Sequence, residues 1–428
     1  MIRFLYNLVW PIGLLVFLPG YLRKMFRRGG YRRKFGQRFA IYDRGVRERL
    51  KTHRSIWLHA VSVGEVAVGL KLARAILELK PDAQFALTTT TTTGFTFAEQ
   101  NATPEIEVLY SPLDFWPIAR RAFNLISPKR IILVEAEVWP NLTSEARDRK
   151  IPLALVNARL SPRSERRFRR FKSIVAPLFQ MLDLVCVPER ADTERWAALG
   201  VAPDKIRYTG SVKFDPIDVG AGDAGPARTG DPNQLVLFGG STHRGEEQIL
   251  ADIFVRLRQA FPTLTLFLAP RHVERAAEIR KQLESLSLGV KFCSEIQNQS
   301  NSRPDCLVLD RTGELRKWYT LGSVVFVGKS LTAFGGQNPV EPILAGKPVV
   351  FGPHMENFAA LARELIANGG AVKVADEQTL ESTIRQLLTD ADARRRLVEN
   401  ARRVIDAHRG AAKRTAELVL GLRKEGSD

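Results

Sequence analysis

From residue 55 onward the chain alternates short apolar runs with longer stretches in which apolar residues recur every three or four positions. The first run, SIWLHAVS, reads as a buried strand, and a Gly-Glu turn then opens the helical EVAVGLKLARAILELK. FALTTT, VLYSP, RIILVEAE, IPLALVNAR and LVCVPE repeat the strand pattern. TGFTFAEQN, DFWPIARRAFNLIS, RFKSIVAPLFQMLD and RADTERWAALG repeat the helical one. Strands that are apolar throughout, rather than at every second residue, belong to a parallel sheet covered by helices on both faces. The pattern stops at SVKFDPIDVGAGDAGPARTGDPN, residues 211–233, which is rich in Gly, Pro and Asp and has no period. Such composition marks a linker or long loop. A second series follows through QLVLFGGS, TLTLFLAP, VKFCS, CLVLD, VVFVG and PVVFG, and the chain closes on polar helices.

The fold class expected is therefore α/β, with two doubly wound, Rossmann-like domains facing a cleft. At 428 residues the chain exceeds one ordinary core, which agrees with two domains. The expected division is 1–54, 55–212, a linker over 213–233, and 234–428, with the last helices able to pack back on the first domain. In such sheets ligands sit beyond the carboxyl ends of the strands.

Residues 1–54 depart from this pattern. Phe4 to Pro19, FLYNLVWPIGLLVFLP, is almost wholly apolar, whereas residues 23–54 hold thirteen Lys or Arg against Asp43 and Glu48, a net +11. More than half of the chain's formal charge of +18 lies there. A signal peptide carries its charge before the apolar run, the reverse of this order. An apolar helix followed by a basic collar fits attachment to a bilayer with the collar on the cytoplasmic face; a buried core helix is the alternative. Three cysteines without CxxC spacing and six histidines without metal spacing leave a reduced chain with no structural zinc as the expectation.

The turns after the strands hold the candidate chemistry. In Ser62-Val63-Gly64-Glu65 the carboxylate falls at a helix N-terminus, where the dipole favours its ionised form and it can serve as a base on an alcohol; ordinary helix-terminal charge explains it too. Glu135 and Glu137 end an apolar strand, and Lys213 lies where the first series stops. Pro270-Arg271-His272 ends another strand, and an Arg fork there suits a phosphate or carboxylate. Asp310-Arg311-Thr312-Gly313-Glu314 closes a further strand, with a Gly that permits close approach. The stretch FGGQNPVEPILAGKPVVFGPHMENF, residues 334–358, joins a Gly turn to a short helix holding Glu341. Free N–H groups at that helix start suit a phosphate, and the acid one turn in suits a ribose diol. GGSTH at 239–243 lacks the GK[ST] of a P-loop. ARLSPRSERRFRRFKS, residues 158–173, is a second basic, aromatic patch, either a solvated helix or a place for an anionic headgroup.

Taken together, HAVSVGE, LVEAEVWPN, IPLALVNARLSPRS, TGSVKFD, STHRGEE, APRHVER, GELRKWY and GGQNPVEP with GKPVVFGPHMENF are similar, in order, to the motifs of the 3-deoxy-D-manno-octulosonic acid (Kdo) transferases. They span residues 55 to about 375. The resemblance implies an inverting glycosyltransferase of GT-B architecture with a membrane-anchor helix, acting at the cytoplasmic face of the cell inner membrane in lipopolysaccharide biosynthesis. Its donor is then CMP-Kdo and its acceptor a lipid A precursor, lipid IV-A. By position, Glu65 matches the general base, and Glu135 and Lys213 match groups that stabilise the transition state. Pro270, Arg271, Thr312, Gly313, Glu314, Asn338, Pro339, Val340 and Glu341 match the CMP contacts. No metal or other cofactor is expected, and the anticipated partners are CMP-Kdo, the lipid acceptor and an anionic membrane surface. Two rivals stay open: a related enzyme using a UDP-sugar, and a membrane-attached nucleic-acid binder. Acids at Glu65, Glu135 and Glu341 speak against the second, because they repel phosphate.

Overall fold

A computed structural model describes residues 3–10, 34–160, 162–215, 234–295, 304–311 and 314–422. The chain divides into two compact units, Met1–Asp215 with His408–Asp428, and Pro216–Ala407. Each contains one seven-stranded parallel sheet.

The first sheet holds β1 (Ile56–His59), β2 (Phe85–Thr89), β3 (Ile106–Tyr110), β4 (Arg130–Val134), β5 (Leu153–Val156), β6 (Leu184–Val187) and β7 (Ile206–Tyr208), in the order β3-β2-β1-β4-β5-β6-β7. Apart from the edge strand β7, its strands are largely buried on both faces, so each side chain in β1 has its own core to fill. Ile56 and Leu58 join one cluster with Val66, Leu70 and Ile76, and Trp57 joins the opposite one with Phe123 and Leu155. That two-sided burial is why these strands read as continuous apolar runs. The helix Ala411–Gly421 packs on the helix Val63–Leu79 and contributes Ala411, Ala416 and Val419 to the first cluster. The C-terminal segment thus completes the core of the unit in which the chain begins.

The second sheet holds β8 (Leu235–Thr242), β9 (Leu264–Pro270), β10 (Val290–Phe292), β11 (Cys306–Val308), β12 (Val324–Val327), β13 (Val349–Phe351) and β14 (Val372–Lys373), ordered β10-β11-β9-β8-β12-β13-β14. Leu237, Leu266 and Phe326 face one cluster, and Phe238, Phe267 and Val325 face the other. Both sheets reverse strand order beside their first strand, as doubly wound sheets do.

Three expectations change. Residues 211–215 are not linker: Asp215 is buried, and its carboxylate accepts from the N–H groups of Gly410 (2.8 Å) and Ala412 (2.7 Å). The stretch read as one helix over 170–183 is helical only at Lys172–Phe179, and Phe171 separates it from the preceding helix Pro162–Arg170. Of the apolar run, residues 4–10 lie in a helix over 3–10, while 11–19 lie outside the described residues, as do residues 23–33 of the basic collar. Among the described residues no helix is long and apolar enough to cross a membrane, so the described helix does not supply the expected anchor span.

Candidate active site

In the first unit the candidates gather at the carboxyl ends of neighbouring strands. Ser62 caps the helix that follows β1, accepting from the Glu65 N–H at 3.3 Å. Glu65, at the third helical position, reaches back. One carboxylate oxygen accepts from the Ser62 hydroxyl (2.8 Å) and the other from the Val61 N–H (2.8 Å). This is the reciprocal logic of a capping box, shifted by one backbone donor. It fixes a buried carboxylate in one rotamer and uses two of its roughly four lone-pair directions.

β4 is paired with β1 and delivers the next acids. Glu135 adopts φ 64°, a left-handed conformation uncommon for glutamate, and its N–H donates to the Val156 carbonyl (2.9 Å). The turn places Glu135 and Glu137 within electrostatic reach of Glu65. Burial, and then the charge of Glu65, raise the Glu135 carboxyl above its ordinary range, while Lys213 and Arg159 oppose the rise. Glu137 is pushed up to about 7 by burial and by Glu65, with a hydrogen bond to Trp139 working against the shift. Burial lowers the Lys213 ammonium, and Glu135 partly restores it. Lys213 is held in place by its own turn. Asp215 N–H donates to the Ser211 carbonyl (2.9 Å), Lys71 donates to the Asp215 carbonyl (2.7 Å), and the Asp215 carboxylate takes the first N–H groups of the returning helix. With the charges of Glu65, Lys213 and Arg159 acting on Glu135, and that of Glu65 on Glu137, this is a site able to hold a proton and stabilise changing charge. The sequence pointed to Glu65, Glu135, Glu137 and Lys213; the part played by Arg159 and Asp215 emerges only from the fold.

In the second unit β8 ends in a bulge between Gly240 and Thr242, with Ser241 at φ 54°. Gly240 has no room for a side chain: a Cβ there would stand 2.3 Å from the hydroxyl of buried Tyr319. Fully buried Glu246 accepts four backbone N–H groups, from His243 (2.9 Å), Lys329 (2.7 Å), Ser330 (3.0 Å) and Leu331 (3.1 Å). It rivets the turn after β8 to the turn after β12. Pro270 ends β9, and the exposed Arg271 follows it, its N–H bonded to the Thr242 carbonyl (3.0 Å). The Glu314 carboxylate lies 3.5 Å from the indole nitrogen of Trp318 and 3.9 Å from Arg311. Thr312 and Gly313 lie outside the described residues.

The turn at 335–341 corrects part of the expectation of free backbone donors, since four of its N–H groups are already bonded. Gly335 N–H donates to Glu356 (2.6 Å), Gly336 N–H to the Lys329 carbonyl (2.8 Å), Gln337 N–H to the Gly328 carbonyl (3.1 Å) and Val340 N–H to the Asn338 side chain (3.0 Å). Gly336, at φ 68° and pressed against Met355, explains the glycine. The helix Val340–Leu344 has five residues, with Pro339 as its cap and Val340 buried. Asn338 also donates to Glu341 (3.2 Å), whose charge reaches the buried Tyr319 hydroxyl and helps to raise it. Here the fold offers the side chains of Asn338 and Glu341 more than a dipole.

Residues 33–216 match the family model of the 3-Deoxy-D-manno-octulosonic-acid transferase (kdotransferase). A 3-deoxy-D-manno-octulosonic acid transferase from Haemophilus influenzae is 30% identical over 91% of this chain and 91% of its own. Its counterpart from Bordetella pertussis is 33% identical over 88% of this chain and 89% of its own. A solved glycosyltransferase of kitacinnamycin shares 15% identity over 86% of this chain and 98% of that one, with a TM-score of 0.53, which speaks for the two-sheet α/β fold alone. By its matching sequence over nine-tenths of its length, the chain belongs to the 3-deoxy-D-manno-octulosonic acid transferase family.

Proposed function

We propose that this Kdo transferase takes Kdo from CMP-Kdo and adds it, with inversion, to a lipid A precursor of the lipid IV-A type at the cytoplasmic face of the inner membrane. Glu65 accepts the acceptor's hydroxyl proton as the new glycosidic bond forms, and CMP leaves with the electrons of the bond that breaks. Glu135 and Lys213 stabilise the charge that moves through an oxocarbenium-like transition state. Arg271, Pro270, Asn338, Pro339, Val340, Glu341 and Glu314, with Thr312 and Gly313, hold CMP. What supports this assignment is the buried, hydrogen-bonded Glu65 just after β1, beside the turn after the paired β4 that presents Glu135 and Glu137, with the charge of Glu65 acting on both of these acids and Glu135 acting on Lys213.

The leaving group is a monophosphate, so a cationic side chain such as Arg271 suffices to neutralise it, and the proposal gives no role to a metal. Dialysis against a chelator should leave kcat unchanged. A UDP-sugar is the competing donor. Calorimetric titration with CMP and with UDP separates the two: tighter binding of CMP supports the proposal, and preference for UDP contradicts it. The apolar segment at 4–19 attaches the protein to the membrane in which its acceptor stays, and the basic collar attracts anionic headgroups.

A further inference from the structure

In a doubly wound sheet the ligand crevice opens where the strand order reverses. In the second sheet β8 has β9 on one side and β12 on the other, so the crevice lies beyond the carboxyl ends of β8 and β12. His243 directly follows β8, and Lys329 lies two residues past the end of β12. Buried Glu246 ties the two turns together through the N–H groups of both residues. The side chains share this end of the sheet. Burial first, then the charges of Lys329, His272 and Arg275, hold the His243 ring below its ordinary range, against an opposing effect of Glu247. The Gln337 amide nitrogen lies 3.4 Å from His243 Nε2, and the His272 ring stands edge-on with centroids 5.9 Å apart. An amide nitrogen donates, so Nε2 accepts, and a neutral ring then keeps its Nδ1–H as a donor.

Lys329 is held there at a conformational cost. Its φ of 57° is in the left-handed region, which a lysine enters reluctantly. The backbone is locked on both sides: its N–H donates to Glu246 (2.7 Å), and its carbonyl accepts from the Gly336 N–H (2.8 Å). A glycine takes such a turn freely, so the turn by itself does not call for a lysine. The half-buried side chain passes Gly335, where a Cβ would stand 3.4 Å from the Lys329 ammonium. Neighbouring acids are engaged elsewhere: Glu246 by four N–H groups, Glu247 by Arg275 (2.9 Å) and Glu356 by the Gly335 N–H (2.6 Å). Among the described residues no carboxylate pairs with that ammonium. A strained, uncompensated cation in a ligand crevice, with an imidazole and an amide beside it, is a receptor for an anion.

The donor of the proposed reaction carries two anions, the phosphate of CMP and the carboxylate of its octulosonic acid. Arg271 stands at the end of β9, its N–H bonded to the Thr242 carbonyl (3.0 Å), and its planar fork suits the phosphate. β9 and β12 flank β8, so Arg271 and Lys329 arise from strands two spacings apart, about 10 Å. Two cations so separated suit a ligand with anions on neighbouring groups better than a lone phosphate. We propose that Lys329, with His243 and Gln337 beside it, holds the carboxylate of the sugar being transferred, and thereby selects an acidic sugar over a neutral one. A neutral sugar would bury the ammonium without a partner, which is discrimination by an unmet charge. The inference rests on CMP-Kdo being the donor and makes Lys329 a specificity-determining residue for it.

Calorimetric titration of the full-length protein with CMP-Kdo and with CMP, in the absence of acceptor, tests it. Wild type should bind CMP-Kdo more tightly than CMP. Lys329→Met should weaken CMP-Kdo by roughly tenfold to a hundredfold, the range of one hydrogen bond to a charged group, and CMP by less than about twofold. Lys329→Gly relaxes the turn, so it should melt no lower than wild type and still lose the same affinity for CMP-Kdo. Equal losses for CMP and CMP-Kdo would put Lys329 on the phosphate and overturn the proposal. Wild-type affinity for CMP-Kdo in both variants would overturn it as well. Wild type that binds a UDP-sugar and not CMP-Kdo would contradict the donor reading itself, and this inference with it.

Discussion

Glu65 owes its position to the same bonds that cap its helix. Ser62 and Val61 hold the carboxylate still, and in the proposed role of base a carboxylate held still needs no reorganisation when the acceptor's proton arrives. Glu65→Ala should lower kcat by about 10²–10⁴-fold, the range of general-base catalysis, and leave the Kd for CMP unchanged in calorimetry. Glu341→Ala should do the reverse, weakening CMP with a smaller effect on the chemical step. Glu137 gives a stability prediction. Its carboxyl, raised to about 7, keeps a proton in the folded protein that the unfolded chain releases above pH 4.5. Stability therefore rises as pH falls from about 7 to 4.5, and above 7 the site stores unfavourable charge. Glu137→Gln should be more stable than wild type at pH 8 by about 1–3 kcal/mol and should lose that pH dependence, as read in denaturant titrations at pH 5 and 8. The chemical types of these residues were legible at the strand ends. What sequence could not tell is how the acids of VEAE are presented. That depends on the left-handed turn at Glu135, a conformation for which glutamate gives no signal.

Among the elements, the turn 211–215 shows how local order is supplied from far along the chain. Asp215 caps the helix Ala411–Gly421, and Lys71 grips its carbonyl, so Lys213 is positioned by residues on two helices, one at each end of the sequence. Asp215→Ala should cost about 1–3 kcal/mol, seen as a lower melting temperature, and should reduce kcat with CMP affinity unchanged. Equal losses of kcat and CMP binding would give the turn a different role. The Asp-Pro-Gly composition downstream made this turn look like linker, because its partner lies nearly two hundred residues away. Strong parallel strands declared themselves through apolar runs, whereas the edge strands β7 and β14 did not: with three and two residues they have no run to show. The helix Pro140–Asp148 hid behind the turn-like Trp-Pro-Asn, although a Pro at the first helical position is a start signal. The Gly-rich turn before Val340 was placed well, but three of its N–H groups are spent on Glu356, Lys329 and Gly328, partners no local pattern reveals.

For the molecule as a whole, two parallel sheets were foreseeable from alternation alone, and the family from the conjunction of motifs. The return of the last helix to the first unit was left open by its amphipathic pattern. Under the proposed function, the charge of +18, more than half of it in residues 23–54, belongs with the apolar N-terminus as a means of holding the enzyme where its acceptor is. Deleting residues 1–22 should lower activity on acceptor embedded in vesicles several-fold more than on acceptor dispersed in detergent; equal losses would make the segment a structural part of the fold only. The most direct measurement is the mass of a lipid A precursor after incubation with CMP-Kdo and the purified protein. The account predicts a product heavier by Kdo with wild type and none with Glu65→Ala, even though that variant still binds CMP. Unmodified precursor with wild type, or product formed at the wild-type rate by Glu65→Ala, would contradict it.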